Sequence, residues 1–194
     1  MSCAVYGLVI HSASAAALQA GRTYMQWVVI GEVVLFAALV GLAYTGTNSL
    51  GEMDVSLQPA WVTWLFVVGF GIKTGLLGFH FWLPRAHPVA PVPASALLSG
   101  LMVKAGLIGW WRFMPIGESA LPDIGSTMIF LGFAAALLAV IAGLVQRNPK
   151  ALLAYSTISQ MGVMTAGVGV GVKLPETWPL LLPVMPLVGF SGSA

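Results

Sequence analysis

The chain has 194 residues, 58% of them hydrophobic and 7% charged, with a net charge of +2 and a mean hydropathy of +0.93. Soluble domains carry roughly 25% charged residues. This chain therefore has too few charges to coat a water-facing surface, and its small net charge gives no basis for nucleic-acid binding. The single cysteine, Cys3, excludes an intrachain disulfide and a thiolate zinc site. The fold class that follows is all-α: a polytopic membrane helical bundle of about five full transmembrane helices plus a partial one at the N-terminus.

A membrane-spanning helix takes about 20 apolar residues. Cys3 to Ala20 is apolar but short and interrupted by His11, Ser12 and Ser14, so it reads as the tail of a helix. The first full span runs from about Tyr24 to Tyr44 and carries Glu32 near its middle. The second, Ala60 to Leu83, carries Lys73 within Gly69-Phe70-Gly71-Ile72-Lys73-Thr74-Gly75-Leu76-Leu77-Gly78. Four glycines around a charge weaken the helix, and discontinuous helices at ion sites have this character. A break near Lys73 is therefore expected. His80, seven residues further on, would share its helical face about 10 Å along the axis, near enough for one or two waters to bridge.

The third span, Ala94 to Phe113, carries Lys104 among small residues that let helices approach closely. The fourth runs from Ile124 to Val145 and the fifth from Lys150 to Val172. Leu180 to Phe190 holds Pro183 and Pro186 and is too short to span. Trp61, Trp82, Trp110, Trp111 and Trp178 lie near span ends and read as an interfacial aromatic belt. Alternating the loops puts Arg22, Arg85, Arg147 and Lys150 on one side and only Arg112 and Lys173 among basic residues on the other. The positive-inside rule then makes the Pro84–Pro93 loop cytoplasmic, in a multi-pass protein of the cell inner (plasma) membrane.

Glu32, Lys73 and Lys104 are the three charges left inside spans. An ionised side chain there costs about 2.5–3.5 kcal/mol on insertion scales, a cost with no return in a passive bundle. An amine withdrawn from water also gives up its proton more readily, so lysine suits a proton carrier. The bland readings are snorkelling for Lys73, a local carbonyl partner for Lys104, and a structural ion pair for Glu32 with either lysine. His11 and His87 lie near span ends. His80 and His87 are seven apart with no third ligand near, so no metal is expected, and no cofactor-binding motif is found.

Two long motifs resemble one family. The first joins Gly71-Ile72-Lys73-Thr74-Gly75 to His80-Phe81-Trp82-Leu83-Pro84-Arg85-Ala86-His87-Pro88, then to Ala90-Pro91-Val92-Pro93-Ala94-Ser95-Ala96-Leu97-Leu98-Ser99-Gly100 and Lys104-Ala105-Gly106. The second is Gln146-Arg147-Asn148-Pro149-Lys150-Ala151-Leu152-Leu153-Ala154-Tyr155-Ser156-Thr157-Ile158-Ser159-Gln160-Met161-Gly162. They resemble the antiporter-like proton-conducting membrane subunits of respiratory NADH:quinone oxidoreductase, multi-subunit cation/proton antiporters and membrane-bound hydrogenases. The runs Gly31–Phe36 and Trp178–Pro183 lean toward the hydrogenase- and antiporter-linked members.

The resemblance implies proton translocation within a larger complex, with other membrane subunits, the lipid bilayer and protons (or sodium) as partners. Lys73 would match the central lysine on a broken helix, Lys104 the relay lysine of the next helix, and His80 and His87 the histidines flanking the Trp-Leu-Pro turn. Redox catalysis would belong to partner subunits. Arg85 stands where the family has aspartate. The family's channel glutamate would lie upstream of Met1, so Glu32 is assigned only as an ion-pair partner. Residues 1–182 would then be the central part of a proton-conducting domain and 183–194 a divergent tail, which implies a fragment of a longer subunit. The competing expectation is a non-conducting structural subunit lacking a complete channel.

Overall fold

In a computed structural model, residues 2–11, 13–44, 59–114, 116 and 121–177 are described, and the regular elements among them are all helical. The expected short stretch 180–190, the divergent tail and Trp178 lie outside these residues. Helix α1 spans Ser2–Val9 and α2 spans Ala15–Tyr44. The Cys3–Ala20 tail is thus two pieces, and the first full span begins nine residues earlier than expected. The hydroxyl of Ser14 explains the division, because it accepts the Ala17 amide at 3.1 Å and caps the new helix. At 30 residues, α2 is about 45 Å long, longer than the hydrocarbon core.

Helix α3 spans Ala60–Thr74, α4 spans Trp82–Val89 and α5 spans Val92–Leu97. Two expectations are corrected here. The second span is a 15-residue helix that stops one residue after Lys73, and the Pro84–Pro93 loop is mostly helix. Proline is tolerated in a first helical turn, where its missing N–H would have no partner, so Pro84 and Pro93 fit within the first turns of α4 and α5. A π-helical turn, Leu98–Met102, joins α5 to α6, Val103–Phe113. Helices α7, Pro122–Leu144, and α8, Pro149–Lys173, each begin with proline at the first turn, and Asn148 caps α8 by accepting the Lys150 amide at 3.0 Å. A 3-10 turn, Pro175–Thr177, follows.

Among the described residues, three helical stretches are long and apolar enough to cross a membrane: Ala15–Tyr44, Val92–Phe113 and Pro122–Leu144. Helix α8 has the length, but Ser156, Thr157, Ser159, Gln160 and Thr165 make it more polar.

Small residues set the spacing between helices. Helices α7 and α8 run antiparallel, with Gly125 against Gly169 and Gly132 against Gly162. A Cβ on Gly132 would lie 2.5 Å from the Gly162 carbonyl oxygen, and one on Gly162 would lie 2.6 Å from that of Gly132. Backbones this close gain dispersion and Cα–H···O contacts. Gly132→Ala is expected to destabilise the chain by about 1–3 kcal/mol, because the neighbour is backbone and cannot yield. Gly167, with nothing within 4 Å of its missing Cβ, supplies the contrast: Gly167→Ala is expected to stabilise by up to about 1 kcal/mol. Thermal unfolding in detergent should shift in opposite directions for the two variants.

The aromatic-belt expectation also changes. Trp61 and Trp111 are exposed, but Trp82 and Trp110 are fully buried. Trp110 donates Nε1–H to the Phe66 carbonyl at 3.2 Å, and Trp82 donates to that of Ile72 at 3.2 Å. A buried indole keeps its apolar body in the core only if its N–H is satisfied.

Candidate functional site

The site forms where α3 stops. Gly75 adopts φ +70, a left-handed conformation that glycine takes without a Cβ clash. Its amide donates to the Ile72 carbonyl at 3.3 Å, and the Leu76 amide donates to that of Gly71 at 2.9 Å. This pair of bonds is a Schellman cap. The Thr74 hydroxyl also donates to Gly71 O at 3.1 Å. The Gly71 and Ile72 carbonyls at the break are therefore satisfied by protein groups.

Lys73 Nζ lies 2.9 Å from Glu32 Oε1 on α2. Close approach of the two backbones allows this: a Cβ on Gly31 would meet Ile72 at 3.1 Å, and one on Gly69 would meet Leu35 at 2.7 Å. The pair is not enclosed by the bundle, since 24% of the Lys73 side chain and 49% of that of Glu32 remain accessible. Lys104 is half-buried on α6, two residues beyond the π turn. At the α3–α6 crossing a Cβ on Gly106 would lie 2.6 Å from Thr74 Cγ2 and 3.0 Å from the Phe70 carbonyl oxygen. Lys73 is the neighbour of Thr74 and Lys104 lies two residues before Gly106, so both are next to this contact in the chain. Both lysines are partly covered by the helices described.

His80 does not share a helical face with Lys73, because residues 75–81 lie between α3 and α4. Its ring rests 4.5 Å from that of Phe81, and its buried Nδ1 has no hydrogen-bond partner among the described residues. It borders a cavity of about 360 Å³ whose walls include Leu77, Ala139, Tyr155 and Ile158.

His87 is fully buried on α4. Its Nδ1 lies 2.6 Å from Ser95 Oγ and its Nε2 lies 3.3 Å from Ser99 Oγ. The Thr157 hydroxyl of α8 lies 3.3 Å from Ser99 Oγ and 3.0 Å from the Leu153 carbonyl, and its one proton can go to either. Imidazole and hydroxyl groups both accept and donate, so this row can carry a hydrogen-bond chain of either polarity from α4 to α8. Nearby, Lys150 Nζ donates to the Ala90 carbonyl at 2.8 Å, tying the start of α8 to the α4–α5 junction.

Ser95, Ser99 and Thr157 were not singled out by sequence reasoning. Their signals were present: Ser95 and Ser99 are four apart and so share a helical face, and Thr157 lies in the second motif.

Residues 1–182 match the family model described as NADH:quinone oxidoreductase/Mrp antiporter, TM. Hydrogenase-4 component B of Escherichia coli is 34% identical over 197 residues, covering 97% of this chain and 29% of that protein. NADH-quinone oxidoreductase subunit M of Rickettsia prowazekii is 36% identical over 160 residues, covering 78% of this chain and 32% of that protein. The chain thus spans about a third or less of the length of these relatives. In the solved Mrp complex from Dietzia sp., one chain superposes with a TM-score of 0.74 at 23% identity, covering 86% of this chain and 33% of that one, which shows the shared fold.

Proposed function

The chain belongs to the NADH:quinone oxidoreductase/Mrp antiporter transmembrane family, and from that membership we propose that it moves protons across a membrane as one part of a multi-subunit complex. The observation that carries this reading is the Lys73–Glu32 ion pair, set beside a capped helix break in an apolar bundle. Charges at membrane depth are rare and mark ion pathways. Lys73 is the central proton carrier in this reading, Lys104 continues the path on the far side of the α3–α6 crossing, and His80 and His87 are relay groups. The two hydroxyls facing His87 support its role, because they give the proton a neighbour on either side of the ring.

The partial exposure of the ion pair supports the assembly half of the proposal. Half-covered charges facing hydrocarbon are costly, so further helices, from a longer subunit or from partner subunits, would cover them. Electron transfer or cation exchange elsewhere in the complex would then drive the protons. The cell inner (plasma) membrane is the proposed location, with the α4–α5 segment cytoplasmic. The Lys150–Ala90 contact favours this, since it draws the basic α7–α8 loop to the end of the bundle that holds α4 and α5.

The experiment is proton transport by the assembled complex in sealed vesicles, read with a pH-sensitive dye. Lys104→Ala is expected to cut transport at least about a hundredfold, the low end for loss of a positioned acid–base group, while subunit assembly is retained. Unchanged transport with intact assembly would favour the structural-subunit reading.

A further inference from the structure

A second feature lies away from these charges, on the outer face of α7. A cavity of about 440 Å³ is lined by Ile129, Phe130, Phe133 and Leu137, with the small Ala134 among them and Lys173 at one end. We propose that this groove holds one acyl chain of a zwitterionic phospholipid, whose phosphate rests on the Lys173 ammonium and whose own ammonium lies beside Asp123.

Three observations carry the assignment. The first is length. The lining begins at Ser126 and ends at Leu137, which at 1.5 Å per residue is about 16 Å, close to half of a hydrocarbon core about 30 Å thick. The groove thus matches a single leaflet. The second is the level of the cation. Lys173 is the last residue of α8, and its backbone nitrogen would lie 2.8 Å from a Cβ on Gly125. Its stem therefore starts beside the first turn of α7, where the leaflet meets water, and its aliphatic carbons cover apolar surface while the ammonium reaches the headgroups.

The third is charge. Among the described residues Lys173 forms no ion pair. Asp123 lies in the first turn of α7, three residues before Ser126 and seven before Phe130, so it is on the groove's own face. Glu176, exposed, follows three residues after Lys173. One amine with carboxylates beside it complements a headgroup that carries both signs. An anionic headgroup could also set its phosphate on Lys173 but would bring no ammonium to the carboxylates.

The test is native mass spectrometry of the full chain in detergent, offered phosphatidylethanolamine and phosphatidylglycerol at equal concentration. One phosphatidylethanolamine per chain is expected to be retained, with about a tenfold preference over phosphatidylglycerol, which is 1.4 kcal/mol. Lys173→Gln should weaken retention of both lipids, since both carry the phosphate, and Asp123→Asn, which removes the carboxylate facing the lipid's ammonium, should abolish the preference. Ala134→Trp, which fills the groove without touching a charge, should abolish retention, with circular dichroism confirming that helicity is kept. Retention of neither lipid, equal retention of both, a preference for phosphatidylglycerol, or retention that survives Ala134→Trp would each overturn the proposal. The first of these is the outcome expected if a further helix covers this face.

Discussion

Replacing Lys73 by arginine is expected to keep the contact with Glu32 and to lose proton transport. The guanidinium preserves the positive charge and can still donate to Glu32 Oε1, which Lys73 Nζ now approaches at 2.9 Å. Arginine does not give up its proton under conditions a protein survives, whereas lysine does so readily when its surroundings change. If Lys73 only holds α3 against α2, the substitution should be tolerated and transport should persist. If Lys73 carries the proton, transport should fall by at least about a hundredfold, the range for loss of an acid–base group, with the complex still assembled. The measurement is dye-reported proton uptake in vesicles alongside a subunit-assembly check. Persistent transport in Lys73→Arg would remove the central role proposed for this residue.

The second large effect is on stability and comes from the partner. Glu32→Gln leaves the Lys73 ammonium without its counter-charge. An unpaired lysine at the centre of a spanning helix costs about 2.5–3.5 kcal/mol on insertion scales, and Lys73 is the penultimate residue of α3. The value is an upper one here, because Lys73 is partly accessible and its long stem can reach toward water. Removing both charges in Glu32→Gln/Lys73→Leu should restore most of the loss, since replacing an ion pair by apolar groups is often neutral or stabilising. The two single variants and the double variant form a cycle read from thermal unfolding in detergent. A double variant no more stable than Glu32→Gln alone would mean that the pair contributes through packing rather than charge.

The membrane fold was legible from composition, because 7% charged residues cannot solvate a surface. Several helix ends were legible as well, where the signal is local. Proline at the first turn of α7 and α8, and the Asn148 cap, act within a few residues of where they stand. The break near Lys73 was readable for the same reason: Gly75 supplies the left-handed residue that a Schellman cap requires. The nature of the break was less so. Spacing along an ideal helix set His80 on the Lys73 face, and that geometry ended once the chain turned at Gly75.

Everything that depended on which helix lies beside which had to await the packed chain. Trp82 and Trp110 have the composition of an interfacial belt, yet both are buried, because carbonyls at Ile72 and Phe66 are within reach of their indole nitrogens. The choice of Lys73 as the partner of Glu32 comes from the α2–α3 contact at Gly31 and Gly69, where missing side chains let the backbones close. The hydroxyl surroundings of His87 join residues 8, 12 and 70 positions away in the chain. Local propensity and hydropathy act over a turn or two of helix, so they place charges at depths in a membrane. Pairing those charges depends on small residues distributed over distant segments, whose contacts exist only after the helices have packed.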